Sequence, residues 1–236
     1  MRSIKWRKNF DGLLEPFDGS ATQLDKLNGS INMYRLLQNN TSIVPLGALH
    51  TVNAIVPMKV SVLEQLLRSV HTTNGNLPYQ NASIRIIKID PQQLQVGQRY
   101  VFREKYQNLI ESLPLIFSDF AMNTEGIGNL GAYFAQGNTR AGEEVLGCYL
   151  PPIIERHGSD LIILDGVHRC FLSRQVGTTP LAVLIDGVSC PFPSITKDWS
   201  QLQILPLAER PAVIAERYFS LAPEHFRDVK RLGIDG

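Results

Sequence analysis

The chain has 236 residues, of which 44% are hydrophobic and 19% charged, enough for one large or two small globular domains. Its 23 basic and 22 acidic side chains leave a formal net charge of +1, so no bulk electrostatic attraction draws it to nucleic acid or to an anionic membrane. No apolar run is long enough to span a membrane, and the basic start lacks the apolar stretch of a secretory signal. We therefore expect a cytoplasmic protein that has no membrane partner.

Residues 1–80 are predicted to form a mainly helical extension. Apolar residues recur at helical spacing between positions 24 and 37. Ser61 and Glu64 form a capping box, which predicts the start of a short amphipathic helix. Residues 72–80 are polar and contain Gly and Pro, so we expect a domain boundary there.

Residues 81–190 change to a mixed α/β pattern, and residues 191–236 are expected to be a helical C-terminal segment. The predicted elements of the middle region are a strand over 84–89, a helix over 104–113, a hairpin over 152–164, a helix over 168–176 and a strand over 181–185. In the last segment, helices are predicted near Pro211 and from Pro223 onward. The charged run 227–231 is interpreted as the solvated face of that final helix.

A glycine-rich stretch at 126–131 has the spacing G-x-G-x-x-G. Dinucleotide binding needs a strand directly before this motif, a long helix after it and an acidic residue about twenty positions on. Asn123 to Glu125 separate the motif from the preceding apolar run, Gly137 ends any helix early, and position 151 is Pro. We therefore expect a loop over a ligand or an insertion, and not a dinucleotide-binding fold.

The most informative segment runs from Leu164 to Leu172, where a buried strand turns directly into a helix at Asp165-Gly166. His168 and Arg169 are expected in the first helical turn, where positive charge opposes the helix macrodipole at a cost of about 0.3–1 kcal/mol per charge. The N–H groups at the same end attract anions. The pattern therefore indicates a site for a phosphate or a carboxylate.

A purely structural interpretation of the same residues stays open. Arg169 can pair with a nearby carboxylate, and His168 can be a hydrogen-bonded structural histidine. Cys170 in the same turn has two interpretations as well. Its thiol pKa can be lowered by the helix start and Arg169, or it can be a small buried hydrophobe, which is the commoner role and the one we favour.

The three cysteines, Cys148, Cys170 and Cys190, are widely spaced and contain no Cys-x-x-Cys pair. This argues for a reducing compartment and against disulfides or a cysteine-based zinc site. The five histidines also lack the spacing of metal ligands. We therefore expect no metal site made of protein ligands alone, although a Mg²⁺ held by nucleotide phosphates would leave little trace in a sequence.

The order of elements over residues 83–188 and the segment from Pro152 through Asp165-Gly166-Val167-His168-Arg169 to Val183 resemble the ParB/sulfiredoxin-like superfamily. The resemblance implies an α/β (α+β mixed) core sheet with flanking helices. It also implies that the turn and the helix start, Gly166, Val167, His168, Arg169 and Cys170, bind nucleotide phosphates. The motif is similar to those of free serine kinases and of D-G-Q-H-R-type proteins.

The comparison within the superfamily also sets limits. Sulfiredoxins carry a catalytic Cys directly before His-Arg, where this chain has Val167. ParB-type CTPases have a turn similar to G-E-R-R, and this chain lacks its Glu. By analogy with the free serine kinases, Glu104 is the candidate general base. Asp165 is expected to orient the turn or a Mg²⁺, and His168 to act with Arg169 on the transferred phosphoryl group.

Three functions follow from the sequence. The first is a phosphotransferase or nucleotide hydrolase that uses ATP, ADP or CTP, with or without Mg²⁺, and an unknown small-molecule acceptor. The second is a ParB-like DNA-associated or regulatory module without turnover, against which the near-zero net charge counts. The third is a protein that keeps the fold only for interaction, with His168 and Arg169 in internal contacts. The oligomeric state is not predicted.

Overall fold

The structure, a computed structural model, describes residues 5–8, 14–17, 43–45, 49–58, 60–107 and 131–232. The chain divides into two compact units. The first unit comprises residues 1–59, 132–150 and 229–236, and the second comprises residues 60–131 and 151–228. The units do not coincide with the three segments that we expected from the sequence, 1–80, 81–190 and 191–236.

The described elements are few helices and many short strands, so the predicted mixed α/β class is confirmed. In chain order they are β1 Lys5–Lys8, β2 Leu14–Phe17, β3 Ile43–Pro45, β4 Thr51–Pro57, α1 Val60–Arg68, β5 Ser83–Lys88, β6 Leu94–Val96, β7 Tyr100–Phe102, β8 Tyr133–Asn138, β9 Glu144–Tyr149, β10 Ile153–His157, β11 Asp160–Asp165, α2 Val167–Gln175, β12 Leu181–Asp186 and β13 Gln203–Leu205. Residues 103–107 are also helical.

The first unit is built on a six-stranded sheet with the order β2-β1-β4-β8-β9-β3. The expectation of a mainly helical segment over 1–80 is therefore wrong for the described residues, which contain four strands and the helix α1. The predicted helical stripe at 24–37 lies outside the described residues, as does the glycine-rich motif up to residue 130. Helix α1 belongs to the second unit and begins at Val60, so Ser61 lies in its first turn and not at its N-cap.

The second unit contains a five-stranded mixed sheet with the order β5-β12-β10-β11-β6. Strands β10 and β11 form the predicted hairpin, and Gly158 at its turn has a φ of 62°. Strand β12 runs parallel to β10, and β6 runs parallel to β11. Strand β11 is therefore an interior strand, hydrogen-bonded to a neighbour along each of its two edges.

Helix α2 packs its apolar side against this sheet. Val167, Cys170 and Phe171 are buried at the spacing i, i+3, i+4, which places them on one face of a helix. They share one core cluster with residues from the sheet and from the C-terminal segment, including Ile154, Ile163, Ala182, Leu184 and Trp199. This packing fixes the position of the first turn of α2 relative to the end of β11.

The C-terminal segment of the second unit contains 3₁₀ turns, at Leu207–Glu209, Ile214–Arg217 and Pro223–His225, where we predicted helices. Its backbone bonds to the core instead of to itself. Arg99 N donates to Arg217 O at 2.8 Å, and Phe219 N donates to Gly97 O at 3.1 Å. Because tertiary hydrogen bonds replace the i to i−4 ladder, the local helical pattern is overridden.

Arg227 corrects a second prediction, because it is 1% exposed and does not lie on a solvated helix face. Its guanidinium pairs with the fully buried Glu155 through two bonds of 3.0 Å, Nε to Oε1 and Nη2 to Oε2. The Tyr79 hydroxyl donates to Glu155 Oε1, and His157 Nε2 lies 2.7 Å from Glu155 Oε2. A buried carboxylate with this many partners ties the C-terminal segment to β10.

Candidate anion-binding site at the start of helix α2

The turn between β11 and α2 requires a glycine. Gly166 is the N-cap of α2 and has a φ of 88°, in the left-handed region. A Cβ atom built on it would lie 2.9 Å from the Pro152 Cα and 2.9 Å from Arg169 Nη2. No side chain caps the helix at this end. The backbone N–H groups at the start of α2 therefore receive no cap from the N-cap residue.

Asp165 and Arg169 hold the shape of this turn. The Asp165 carboxylate accepts a hydrogen bond of 2.8 Å from Arg169 Nη2 and a further one from the Gly166 N–H. Burial raises the pKa of Asp165, while the charges of Arg169 and Lys105 and the Gly166 N–H work in the opposite direction. The pair is buried to a large extent, with side-chain exposures of 18% for Arg169 and 10% for Asp165.

His168 is neutral in this environment. Its Nε2 accepts a hydrogen bond of 2.9 Å from the Phe102 backbone N–H, and the two rings stack with centroids 5.9 Å apart. Because a backbone amide can only donate, Nε2 carries no proton, and the imidazole proton lies on Nδ1. Burial, together with the charges of Lys105, Arg169 and Arg210, lowers the pKa of His168 to about 3. The expectation of a positive charge on His168 is therefore wrong.

These contacts are the ones that the structural interpretation requires, an ion pair for Arg169 and a hydrogen bond for His168. The site has two further features, the cations that act on His168 and the start of helix α2. Three cations, Lys105, Arg169 and Arg210, lie close enough to the His168 imidazole to lower its pKa. They do so beside a helix start that carries positive potential of its own. Positive charge concentrated in this way favours an anion.

Glu104, the candidate general base, lies in the helical residues 103–107. Its Oε2 accepts a hydrogen bond of 2.7 Å from the Leu207 N–H. Its own backbone N–H and that of Leu207 lower the pKa of the Glu104 carboxyl. The structure thus gives Glu104 a definite task, since it fixes the start of the segment that carries Arg210. Its role as a base stays a prediction.

Cys170 is not available to a ligand. Its side chain is fully buried, burial raises the pKa of its thiol to about 12, and its backbone N–H donates to Gly166 O at 2.9 Å. The binding role that we assigned to Cys170 is therefore wrong, and the favoured interpretation as a small buried hydrophobe describes it. Val167 is buried as well, so only its backbone N–H can face an anion.

The sequence analysis missed three residues of this site. Phe102 closes the hydrogen bond to His168 across 66 positions. Lys105 follows a predicted site residue directly, so it could have been found by examining the neighbours of Glu104. Arg210 comes from the C-terminal segment, and its guanidinium lies 5.7 Å from the centroid of the Phe102 ring. Only the fold brings it to His168.

No group of three or more His, Cys, Asp or Glu side chains in the described part of the chain is arranged to hold a metal ion. The two predicted site carboxylates, Asp165 and Glu104, both accept hydrogen bonds from protein groups. Among the described residues, moreover, no helix has the length and apolar character that crossing a membrane requires.

The mixed five-stranded sheet, with helix α2 packed against it, agrees with the core that the resemblance to the ParB/sulfiredoxin-like superfamily implies. The chain matches the family model of the ParB CE domain over residues 60–203. Because this match covers more than half of the chain, the protein belongs to the ParB CE domain family. No curated protein and no solved structure gives a significant match.

Proposed function

We propose that the start of helix α2 binds the phosphates of a nucleotide and that the protein transfers or hydrolyses a phosphoryl group there. The observation that carries the proposal is the geometry at the helix start, where the N-cap Gly166 provides no side-chain cap and Asp165 holds Arg169 through a 2.8 Å bond. Arg210 lies 5.7 Å from the centroid of Phe102, the ring that stacks on His168. Phosphate is the common biological anion that such a set of cations and N–H donors suits.

The chemistry assigned to each residue follows from its contacts. Backbone N–H groups in the first turn of α2 hold the phosphate oxygens, and Lys105 and Arg169 neutralise the charge that develops during phosphoryl transfer. Asp165 keeps Arg169 in place through the 2.8 Å bond. His168 contributes a hydrogen-bond donor, Nδ1–H, and no charge, because Phe102 occupies Nε2.

Magnesium, if the nucleotide brings it, would be held by the phosphates. Asp165 and Glu104 accept hydrogen bonds from Arg169 and Leu207, so neither carboxylate is proposed as a ligand of the metal. The acceptor is water or a small molecule with a hydroxyl group. Glu104 would take its proton only by exchanging the bond to the Leu207 N–H.

Thermal unfolding with ATP, ADP, CTP and GTP, each with and without Mg²⁺, tests the proposal. A nucleotide at 100 times its Kd stabilises the folded state by about 2.7 kcal/mol, which is a shift of several degrees. We expect this shift for the wild type and for Arg156→Ala, which removes a surface pair with Asp186 at 3.6 Å. We expect no shift for Arg169→Ala.

A nucleotide that stabilises Arg169→Ala as much as the wild type would place the binding site elsewhere. If no nucleotide stabilises the wild type, the nucleotide proposal fails. DNA binding that weakens steeply with salt would then favour the module without turnover. Nucleotide binding without release of phosphate or phosphorylation of an acceptor would retain the site and remove the reaction.

A further inference from the structure

The proposed phosphate site receives a cation from outside the family domain. The family match ends at residue 203, and Arg210 lies seven positions beyond it. We propose that Arg210 is an anion-binding residue of this site, brought there by residues 206–216, which we call the Arg210 loop. The inference rests on the proposed function, because it names a further residue that contacts the same anion.

The residues that flank the Arg210 loop, Gln203 and Arg217, bond to the same residue of the core. Gln203 N donates to Arg99 O, and Arg99 N donates to Arg217 O, each at 2.8 Å. Strand β13, which precedes the loop, also pairs in parallel with β7 from Gln203–Tyr100 to Leu205–Phe102. A loop whose ends meet in this way is a compact unit of the Ω type, and such loops are frequently functional.

The interior of the Arg210 loop is held at two further points. Its start is held by Glu104, whose Oε2 accepts from the Leu207 N–H at 2.7 Å. Its tip is held by Arg217, which donates from Nε to Pro211 O at 2.9 Å and from Nη2 to Ala212 O at 3.1 Å. Arg210 follows the 3₁₀ turn Leu207–Glu209 directly. Its backbone position is thus set from both sides.

The side chain of Arg210 lies over the ring that stacks on His168. Its guanidinium carbon is 5.7 Å from the Phe102 centroid, and the Phe102 ring stacks on the imidazole. Its positive charge acts on His168 together with those of Lys105 and Arg169. The three cations come from three separate parts of the second unit, and all three act on His168.

Arg210 also lies in a region of like charge. Burial lowers the pKa of Arg217, and the positive charge of Arg210 lowers it further, so these two guanidinium groups repel each other. A phosphate accepts the planar hydrogen-bond fork of an arginine, so an anion bound at Arg210 would offset this repulsion.

The test is titration with inorganic pyrophosphate, followed by calorimetry, of the wild type, Arg210→Gln and Arg99→Gln. Arg99→Gln is the matched control, because Arg99 lies 5.5 Å from the neighbouring ring, Tyr100, and holds the loop only through its backbone. We expect pyrophosphate affinity to fall at least tenfold in Arg210→Gln and less than threefold in Arg99→Gln. Unfolding midpoints report whether either variant is damaged.

A second measurement reports contact directly. Phenylglyoxal modifies accessible arginines, and mass spectrometry of the full chain after modification identifies the modified positions. We expect pyrophosphate to protect Arg210 and to leave Arg99 as reactive as before. Pyrophosphate binding that is equal in the wild type and Arg210→Gln, with no protection of Arg210, would overturn the inference and leave the proposed function standing. Absence of pyrophosphate and nucleotide binding by the wild type would overturn both.

Discussion

Two arginine–carboxylate pairs of the second unit have opposite surroundings. Glu155 and Arg227 are both completely buried and share two bonds of 3.0 Å, and Tyr79 and His157 also bond to Glu155. Asp165 and Arg169 share one 2.8 Å bond, remain partly exposed, and have Lys105 as a further cation that acts on Asp165. The first pair is closed to solvent, whereas the second lies partly exposed at a helix start.

The difference separates stability from binding. A buried pair of matched charges contributes nothing to a ligand, and removing one partner strands the other charge away from water. A charged pair that solvent can reach contributes less to stability, and its arginine can still attract an anion. We therefore expect mutations at the two pairs to have different consequences, although each removes an arginine.

Arg227→Met has the largest expected effect on stability. It leaves the Glu155 carboxylate buried without its partner, which costs about 3–5 kcal/mol of unfolding free energy. Urea denaturation at pH 7 measures this loss. The control is Arg156→Ala, on the same strand as Glu155. It should cost less than about 1 kcal/mol, because the pair of Arg156 with Asp186 is exposed. Equal costs for the two variants would show that the buried pair has no special weight.

Arg169→Ala should weaken anion binding more than Arg227→Met does, and it should destabilise the fold less. We expect pyrophosphate affinity to fall at least a hundredfold, which corresponds to about 2.7 kcal/mol. The unfolding free energy should fall by about 1–3 kcal/mol, because the partly buried Asp165 loses one hydrogen bond but keeps the Gly166 N–H. Calorimetry and urea denaturation of the same preparation measure both quantities. A variant that loses stability but keeps its affinity would contradict the distinction.

Gly166→Ala sharpens the comparison at the backbone. The left-handed conformation and the close approach to the Pro152 Cα make an added methyl group cost about 1–3 kcal/mol. Gly177→Ala is the matched control, because Gly177 has a φ of 70° but nothing within 4 Å of an added Cβ. We expect the Gly166 variant alone to weaken pyrophosphate binding. Equal losses of stability in the two variants would mean that the contact with Pro152 is unimportant.

At pH 7 the smallest effect is that of the lowered pKa of His168, because its cost to folding develops only as the pH falls. The pKa of His168 is about 3 in the folded protein, below its ordinary value of 6.5. As the pH falls below about 6.5, the unfolded chain takes up the proton first, so the folded state loses up to about 1.4 kcal/mol per pH unit until the pH reaches about 3. His168→Gln keeps an acceptor for the Phe102 N–H and does not titrate. Parallel pH curves of unfolding free energy for the two proteins would refute a neutral, buried His168.

The sequence predicted the part of the second unit in which structure is local. Strand β5, the hairpin β10–β11, helix α2 and strand β12 have clear apolar periods, and Gly and Pro mark their ends. The turn at Asp165-Gly166 was recognisable because a strand pattern and a helix pattern meet there. These features depend on residues a few positions apart, which a single sequence displays.

What the sequence did not reveal depends on distant contacts. Glu155 and Arg227 are separated by 72 positions, and Phe102 and His168 by 66. The run 227–231 has the composition of a solvated surface, yet Arg227 is buried because it pairs with the buried carboxylate of Glu155 on β10. Likewise, Arg210 lies in a segment whose local pattern predicts a helix, and tertiary bonds to Arg99 and Gly97 determine its path instead.

The most direct measurement is a map of backbone amide chemical shifts in ¹⁵N-labelled protein as inorganic pyrophosphate is added. We expect the largest shifts at the amides of Val167, His168 and Arg169, at the start of α2, and no change at the amides of Glu155 and Arg227. Shifts concentrated at Glu155 and Arg227, or no shifts at saturating pyrophosphate, would contradict the assignment of the anion site to this helix.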